Sequence, residues 1–289
     1  MGSVCNKTYR VRRHAVLHTH LKETSVKLKG HVSADACLGY GLFEGVTVGL
    51  AVNILESWIL KQNHIIKKDF SKKFLEMALI SCKGSVEKAK KQIDRLCTMK
   101  ALLPKFFSKT NASCPQQYNI TKFAEYLKTH DYCNGIIIFY DCRQLDLFDL
   151  ITKLNTVELQ QIITILIEGY GARLKSINVL TESKAVEMLV NILKQILSEK
   201  ISKRIHVQRS LEDVYKVIPK ELLPIDYGGK QRSIDALHAD VVKELSSPKH
   251  VEYVKMMFKA CTDETRRHAG KFNEEYVGMP GSFRCLSVD

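Results

Sequence analysis

Leu197-Ser-Glu-Lys-Ile-Ser-Lys-Arg-Ile-His-Val207 and, after a short helical stretch, Ile218-Pro-Lys-Glu-Leu-Leu-Pro-Ile-Asp-Tyr-Gly-Gly229 are the two blocks whose reading decides the fold. The first block ends a helix on Lys200, Lys203 and Arg204 and turns into the β-type run Ile205-His206-Val207. The second holds a proline at either end of a one-turn helix. Pro219 suits the first helical position, where its missing N–H is not needed, and Pro224 stops the continuation. Gly228 and Gly229 then supply a reversal with positive φ that a residue bearing a Cβ resists.

Upstream of these blocks the pattern alternates between strand and helix. Gly135-Ile-Ile-Ile-Phe-Tyr-Asp141 is a continuous apolar run, as a strand buried on both faces of a parallel sheet requires. A helix is expected over residues 155–168, with Val157, Leu159, Ile162, Ile163, Leu166 and Ile167 covering more than one face. Arg173 to Leu180 reads as a second strand, so strand, helix and strand make a crossover unit. Residues 185–198 form a further helix, with Val186, Leu189, Val190, Leu193, Ile196 and Leu197 at 3-4 spacing. That spacing alone equally describes a surface helix packed on its own sheet. Past Gly229 an amphipathic helix runs through Leu237, Val241, Val242 and Leu245.

The amino-terminal part is helical from Val52. Ile54, Leu55, Trp58 and Ile59 make one stripe, and Phe70, Phe74, Leu75, Ala78 and Leu79 another. Lys83-Gly84 breaks the second helix and Ser85 caps a third. The third buries Val86, Ala89, Ile93, Leu96 and Cys97 and leaves Lys88, Lys90 and Lys91 outside. Residues 1–50 carry less information. Met1-Gly-Ser-Val-Cys5-Asn6 nearly matches an acylation signal, with Asn where Ser or Thr is wanted. His14, His18, His20 and Glu23 sit in a basic segment that reads as solvated, and no metal site is expected. Leu38 to Leu55 approaches the length of a membrane span, but Glu44 and Asn53 interrupt it.

The 289 residues carry a formal net charge of +13, and 45% of them are hydrophobic, enough for a substantial core. The positive field suits an anionic membrane face, nucleic acid or solubility alone. Nine scattered cysteines without a CxxC pair read as thiols in a reducing compartment. No secretory signal is visible at the start, so a cytoplasmic protein is expected.

Written together, SEKxxxRIHV and IPKExLPxxYGG resemble the closing segment of the CRAL-TRIO (Sec14-like) lipid-transfer family, with the retinaldehyde- and tocopherol-transfer branch, particularly its insect members, most similar. EGYGARLKSINVL resembles the segment before that family's gate helix. LESWILKQNHI and CKGSVEKAKKQIDRLCTMKALLPKFF resemble its helical amino-terminal module, and the GSFRCL run at Gly281 resembles an insect terminus. Two departures stand out: Met77 and Ile80 occupy positions where the family carries arginines, and Thr181-Glu182-Ser183 replaces Asn-x-Pro. The polar stretch 108–134, with one helix expected through Phe123, Tyr126 and Leu127, is roughly forty residues shorter than the family's spacer, which is the length of a strand and a helix. A missing strand would remove one wall of the family's pocket or leave an unpaired edge.

The resemblance implies an α/β fold: a small all-helical lobe over 51–107, then a shortened lipid-binding domain over 108–246, whose sheet is backed by helices, and a tail over 247–289. It implies an apolar pocket lined by Ile136, Ile138, Tyr140, Ile177 and Val179. The gate helix would cover it with Val186, Leu189, Val190, Leu193, Ile196 and Leu197. Arg173, Lys175, Lys200 and Arg204 match the family's phosphoinositide-gripping positions, and Lys203 joins them. The residues themselves fit that role. Arg173 and Lys175 alternate onto one strand face, Lys200 and Arg204 share a helical face, and grouped cations bind phosphate through charge-assisted hydrogen bonds.

The expected function is binding a small hydrophobic ligand (retinoid, tocopherol or fatty-acyl) and moving it between membranes, docking through phosphoinositides. The protein would be a monomer without cofactor, cytoplasmic and transiently membrane-associated. Two alternatives stay open: docking on anionic lipid without cargo, and a small-molecule α/β enzyme. No GxSxG, P-loop, HExxH or zinc pair supports the enzyme. His206, a lone histidine in a β-type run, reads as structural, Asp141 has no identifiable partner and reads as a loop cap, and no nucleic-acid reading module is visible.

Overall fold

A computed structural model describes residues 15–19 (by backbone), 48–107, 135–144, 151–152 and 155–267. The acylation signal, the helix expected near Tyr126 and the GSFRCL terminus lie outside the described residues, as do His14, His20, Glu23 and the side chain of His18. The fold is α/β, with helices joined to a four-stranded sheet in the order β1-β2-β3-β4. The strands are β1 (Ala15–Thr19), β2 (Ile136–Asp141), β3 (Leu174–Leu180) and β4 (Ile205–Gln208). β3 and β4 are parallel, with Ile177 opposite Ile205 and Val179 opposite Val207. Ile136 N donates to Arg173 O and Cys142 N to Leu180 O, so β2 runs in the same sense as β3. The unpaired edge expected at β2 is not left open, because β1 occupies it.

The chain divides into two compact units. In the helical one, α1 (Val48–Lys61), α2 (Lys72–Ser81) and α3 (Val86–Leu102) pack around Leu55, Ile59, Leu75, Leu79, Ile93 and Leu96. Local chemistry sets their ends. Ser71 Oγ accepts from Phe74 N at 3.2 Å, and Ser85 Oγ from Lys88 N at 3.4 Å. Lys83 and Gly84 between them take φ of 54° and 78°, which stops α2. The crossover helix α4 (Thr156–Thr164), capped by Asn155, continues as a π turn over Ile165–Gly169. Ile165, Leu166 and Tyr170 join the same core as α3, which is why the apolar positions of this helix cover more than one face. α8 (Ile234–Leu245) buries only Leu245. α9 (Pro248–Phe258) contributes Met257, and Ala260 follows it into the core.

The other unit holds most of the sheet, α5 (Lys184–Ile196), the single turn α6 (Glu199–Ser202) and α7 (Leu211–Val217). Phe139, Leu180, Val214, Ile218, Leu223 and Tyr227 form its core on one side of the strands. Pro219 precedes one 3-10 turn and Pro224 a second, so each proline caps a turn from just outside it. Gly228 has φ 66°. Gly229 is required for a different reason: a Cβ there would lie 1.9 Å from Leu223 O. Tyr215 Oη closes the reversal by donating to Tyr227 O at 2.8 Å.

Candidate functional site

Alternation along β2 puts Ile136, Ile138 and Tyr140 on the face away from Phe139. Alternation along β3 puts Ile177 and Val179 on the face away from Leu180. Phe139 and Leu180 both point into the core beneath α7, so the expected pocket residues of each strand face the other way. Ile136, Ile138, Ile177 and Val179 are buried, and Tyr140 is exposed.

α5 starts where Ser183 Oγ accepts from Val186 N at 3.4 Å, and Ser183 N donates to Thr181 Oγ1 at 3.1 Å. Thr181 and Ser183 thus make the strand-to-helix turn. The helix lies against β4. Val186 and Val190 are buried, and Leu189, Leu193 and Leu197 are half-buried. Met188, Ile192 and Ile196, at i, i+4 and i+8, are 66%, 53% and 42% exposed. The apolar arc of α5 is therefore wider than the part the unit covers, and its uncovered flank is a row of large side chains in water.

The basic residues fall into two groups. Arg173 lies just before β3 in the helical unit, and its Nη2 donates to Ser81 O at 3.4 Å, at the carboxyl end of α2. Lys175 is exposed, and its aliphatic stem crosses Gly135 so closely that a Cβ there would sit 2.5 Å from Lys175 Cε. Lys200, Lys203 and Arg204 belong to the sheet unit. Lys203 Nζ reaches Glu199 Oε1 at 2.6 Å in an exposed pair of the kind that adds little stability. The helical turn carries on past α6, with Arg204 N donating to Ile201 O at 2.9 Å.

Sequence reasoning missed two polar arrangements in the sheet unit. Asp141 does have a partner: its Oδ1 accepts from Arg143 N and Nε at 3.1 and 3.0 Å, and its Oδ2 from Nη2 at 2.7 Å. Burial first, and the Asp141 carboxylate second, push the Tyr227 phenol up, and the same two causes raise the Cys142 thiol to about 11. On β3, buried Asn178 donates to Ser176 Oγ at 2.9 Å and accepts from Gln208 Nε2 at 3.4 Å. The Arg two residues after Asp141 was the available signal for the first. Nothing in the sequence marked the second. In the helical unit a cavity of about 10 Å³ lies between Phe74, Ala78, Gln92, Ile93, Leu96 and Gly169, room for about one water. Among the described residues no group of His, Cys, Asp and Glu is placed to hold a metal, and no helix is long and apolar enough to cross a membrane.

Comparison with known proteins places these elements. The model of the CRAL/TRIO domain matches residues 108–229, and that of the Pinta-like UBA domain matches residues 47–117. Alpha-tocopherol transfer protein-like proteins of Homo sapiens and Pongo abelii are each 29% identical over 125 residues, and that of Mus musculus is 28% identical. The match covers 40% of this chain and spans 36% of the length of those relatives. The matched region takes in β2, β3, β4, α5 and the double-glycine reversal, so it is residues 108–229 that are similar to the CRAL/TRIO domain.

Proposed function

We propose that the protein is a carrier of a small hydrophobic ligand of the retinoid, tocopherol or fatty-acyl class, which it moves between membranes without covalent chemistry. The observation that carries this reading is α5. A surface helix that keeps Met188, Ile192 and Ile196 in water while half-burying Leu189 and Leu193, with Leu197 half-buried just past its end, is suited to cover an apolar guest and to meet an apolar surface. The tocopherol-transfer relatives and the CRAL/TRIO match support the ligand class. The pocket would be lined by Ile136, Ile138, Tyr140, Ile177 and Val179 and lidded by α5. Each Å² of apolar surface taken from water would favour the bound state by roughly 25 cal/mol.

Arg173, Lys175, Lys200, Lys203 and Arg204 would meet phosphoinositide headgroups at a membrane face, each exposed cation contributing about 1 kcal/mol near an anionic surface. Lys175 and Lys200 are the members best placed for this, being exposed and without a bonded partner among the described residues. The carrier would work as a cytoplasmic monomer that touches membranes transiently. Native mass spectrometry of the protein purified from cells tests the reading, with a copurifying apolar ligand expected. Phosphoinositide vesicles should bind better than neutral ones at low salt, and charge reversal at Lys200 and Arg204 should reduce that binding without unfolding. Equal binding to both vesicles would remove the docking face, and absence of any apolar ligand would remove the cargo.

A further inference from the structure

Residues Cys261–Arg267 follow α9 as a strap laid on the helical unit. Its backbone is read by the turn after α1: Ile65 and Thr262 form an antiparallel bridge, Ile66 N donates to Cys261 O at 3.0 Å, and Asp263 N donates to His64 O at 2.7 Å. Its last described side chain enters a polar receptor on α3. Arg267 Nη1 reaches Asp94 Oδ2 at 2.8 Å, and Nη2 reaches Asp94 Oδ1 at 3.0 Å and Thr98 Oγ1 at 2.7 Å. Asp94 and Thr98 are one turn apart on the same helix. Thr98 donates to Asp94 O at 2.8 Å, and His64 Nε2 stands 2.8 Å from Asp94 Oδ1. The Arg267 and Asp94 side chains are 6% and 9% exposed. Glu264, three residues before, accepts from Arg267 Nε at 2.8 Å and holds the guanidinium in line.

α9 and the strap are held differently. α9 is anchored by apolar burial at Met257, with Ala260 just beyond it, and by Lys100 Nζ on Met257 O, whereas the strap buries Thr262 and the Arg267 side chain and is held mainly by backbone pairing and that arginine. Backbone pairing to a loop plus one side chain in a specific receptor is how proteins read extended peptides. An ion pair taken out of water is a poor source of stability, because desolvation cancels most of the attraction, and it suits register and switching better. We propose that the surface between the turn at His64–Ile66 and α3 is a docking groove for an extended, arginine-bearing peptide segment. The chain's own Cys261–Arg267 occupies it in cis and leaves it reversibly while α9 stays docked. This goes beyond the carrier reading and does not depend on it.

The test uses the whole chain. Native-state hydrogen exchange should show the Ile66 and Asp263 amides exchanging together, at least tenfold faster than interior α3 amides such as Leu96 and Met99. Exchange at one common rate would overturn the proposal, since the strap would then open only when everything unfolds. In a second arm a fluorescent peptide of residues 261–267, with Cys261→Ser, is titrated into wild type and into an Arg267→Met chain. The variant, its receptor emptied, should bind the peptide at least tenfold more tightly than wild type, and a peptide carrying Arg267→Met should not bind. Equal binding to both chains, or binding that ignores the arginine, would overturn the groove. So would an Arg267→Met chain that fails to fold, because a strap that leaves reversibly cannot be needed for folding.

Discussion

α3 and α5 have their burial reversed relative to their composition. α3 is rich in Lys, Asp, Arg and Gln, yet Gln92, Asp94, Thr98 and Lys100 are all buried. α5 carries the stronger apolar stripe, yet only Val186 and Val190 are buried in it. The difference lies in what surrounds each helix. Between Gln92 and Lys100, α3 is covered by α1, α2, the π turn and the segment that follows α9, and every polar group named has a partner there. Lys100 Nζ donates to Met257 O at 3.0 Å, Gln92 Nε2 to Gly169 O at 3.3 Å, and Asp94 meets Arg267. Buried polar groups are tolerated when they are satisfied. Among the described residues α5 lies on β4 and α6, and part of its apolar arc faces water. The buried stretch of α3 is covered by other parts of its own chain, while α5 keeps part of its apolar arc open to something outside it.

If that comparison is right, the largest stability losses belong to the helical unit. Leu55→Ala, at a position with no exposure and neighbours on every side, should cost ~2–5 kcal/mol in urea unfolding. A loss below 1 kcal/mol would mean that the unit is loosely packed.

A smaller effect should appear with pH. Burial pushes the Cys97 thiol on α3 up to about 12, well above the ordinary thiol range. Below pH 9 the thiol is neutral folded and unfolded, so it contributes no pH dependence. Between pH 9 and 12 the unfolded chain loses this proton and the folded chain keeps it, so stability falls as pH rises, by about 1.4 kcal/mol per unit at most. Cys97→Ala should remove that slope, so the wild-type advantage seen at pH 8 should shrink steadily toward pH 11. Parallel curves for the two chains would show that the thiol is not closed off from solvent.

The parts of this molecule that were legible in the sequence are those decided by near neighbours. Ser85 as a cap, the break at Lys83-Gly84, the apolar run of β2 and the reversal at Gly228 all depend on residues within a turn or two. The strap was not legible, because Arg267 and Asp94 lie 173 positions apart and neither is unusual in its own window. β1 was missed for the same reason: it neighbours β2, far along the chain, and nothing within Ala15–Thr19 announces it. The candidate site was half legible. The periodicity of α5 located its apolar arc at Val186, Leu189, Val190 and Leu193. How much of that arc the unit covers is a question about neighbours, and Met188 and Ile192 answer it only in three dimensions. The basic set was readable as charge, but the contact of Arg173 with Ser81 at the end of α2 was not.

The smallest expected effect is on α5, where it separates a lid from a core helix. Ile192 is more than half exposed and sits one turn after Met188 and one before Ile196, on the uncovered flank. Ile192→Gln keeps the length and helix propensity close to the original and removes apolar surface that contacts water already. Its cost in thermal unfolding should stay within about 0.5 kcal/mol, the range of surface substitutions. Partition onto phosphoinositide vesicles, or the rate at which a fluorescent fatty acid leaves the protein, should change measurably in the same variant. Leu193→Ala is the matching control on the half-buried side. It should cost more than Ile192→Gln but less than Leu55→Ala, since the cavity it leaves is only partly enclosed. A loss of 2 kcal/mol or more from Ile192→Gln, with lipid handling unchanged, would make α5 an ordinary packed helix and erase its difference from α3.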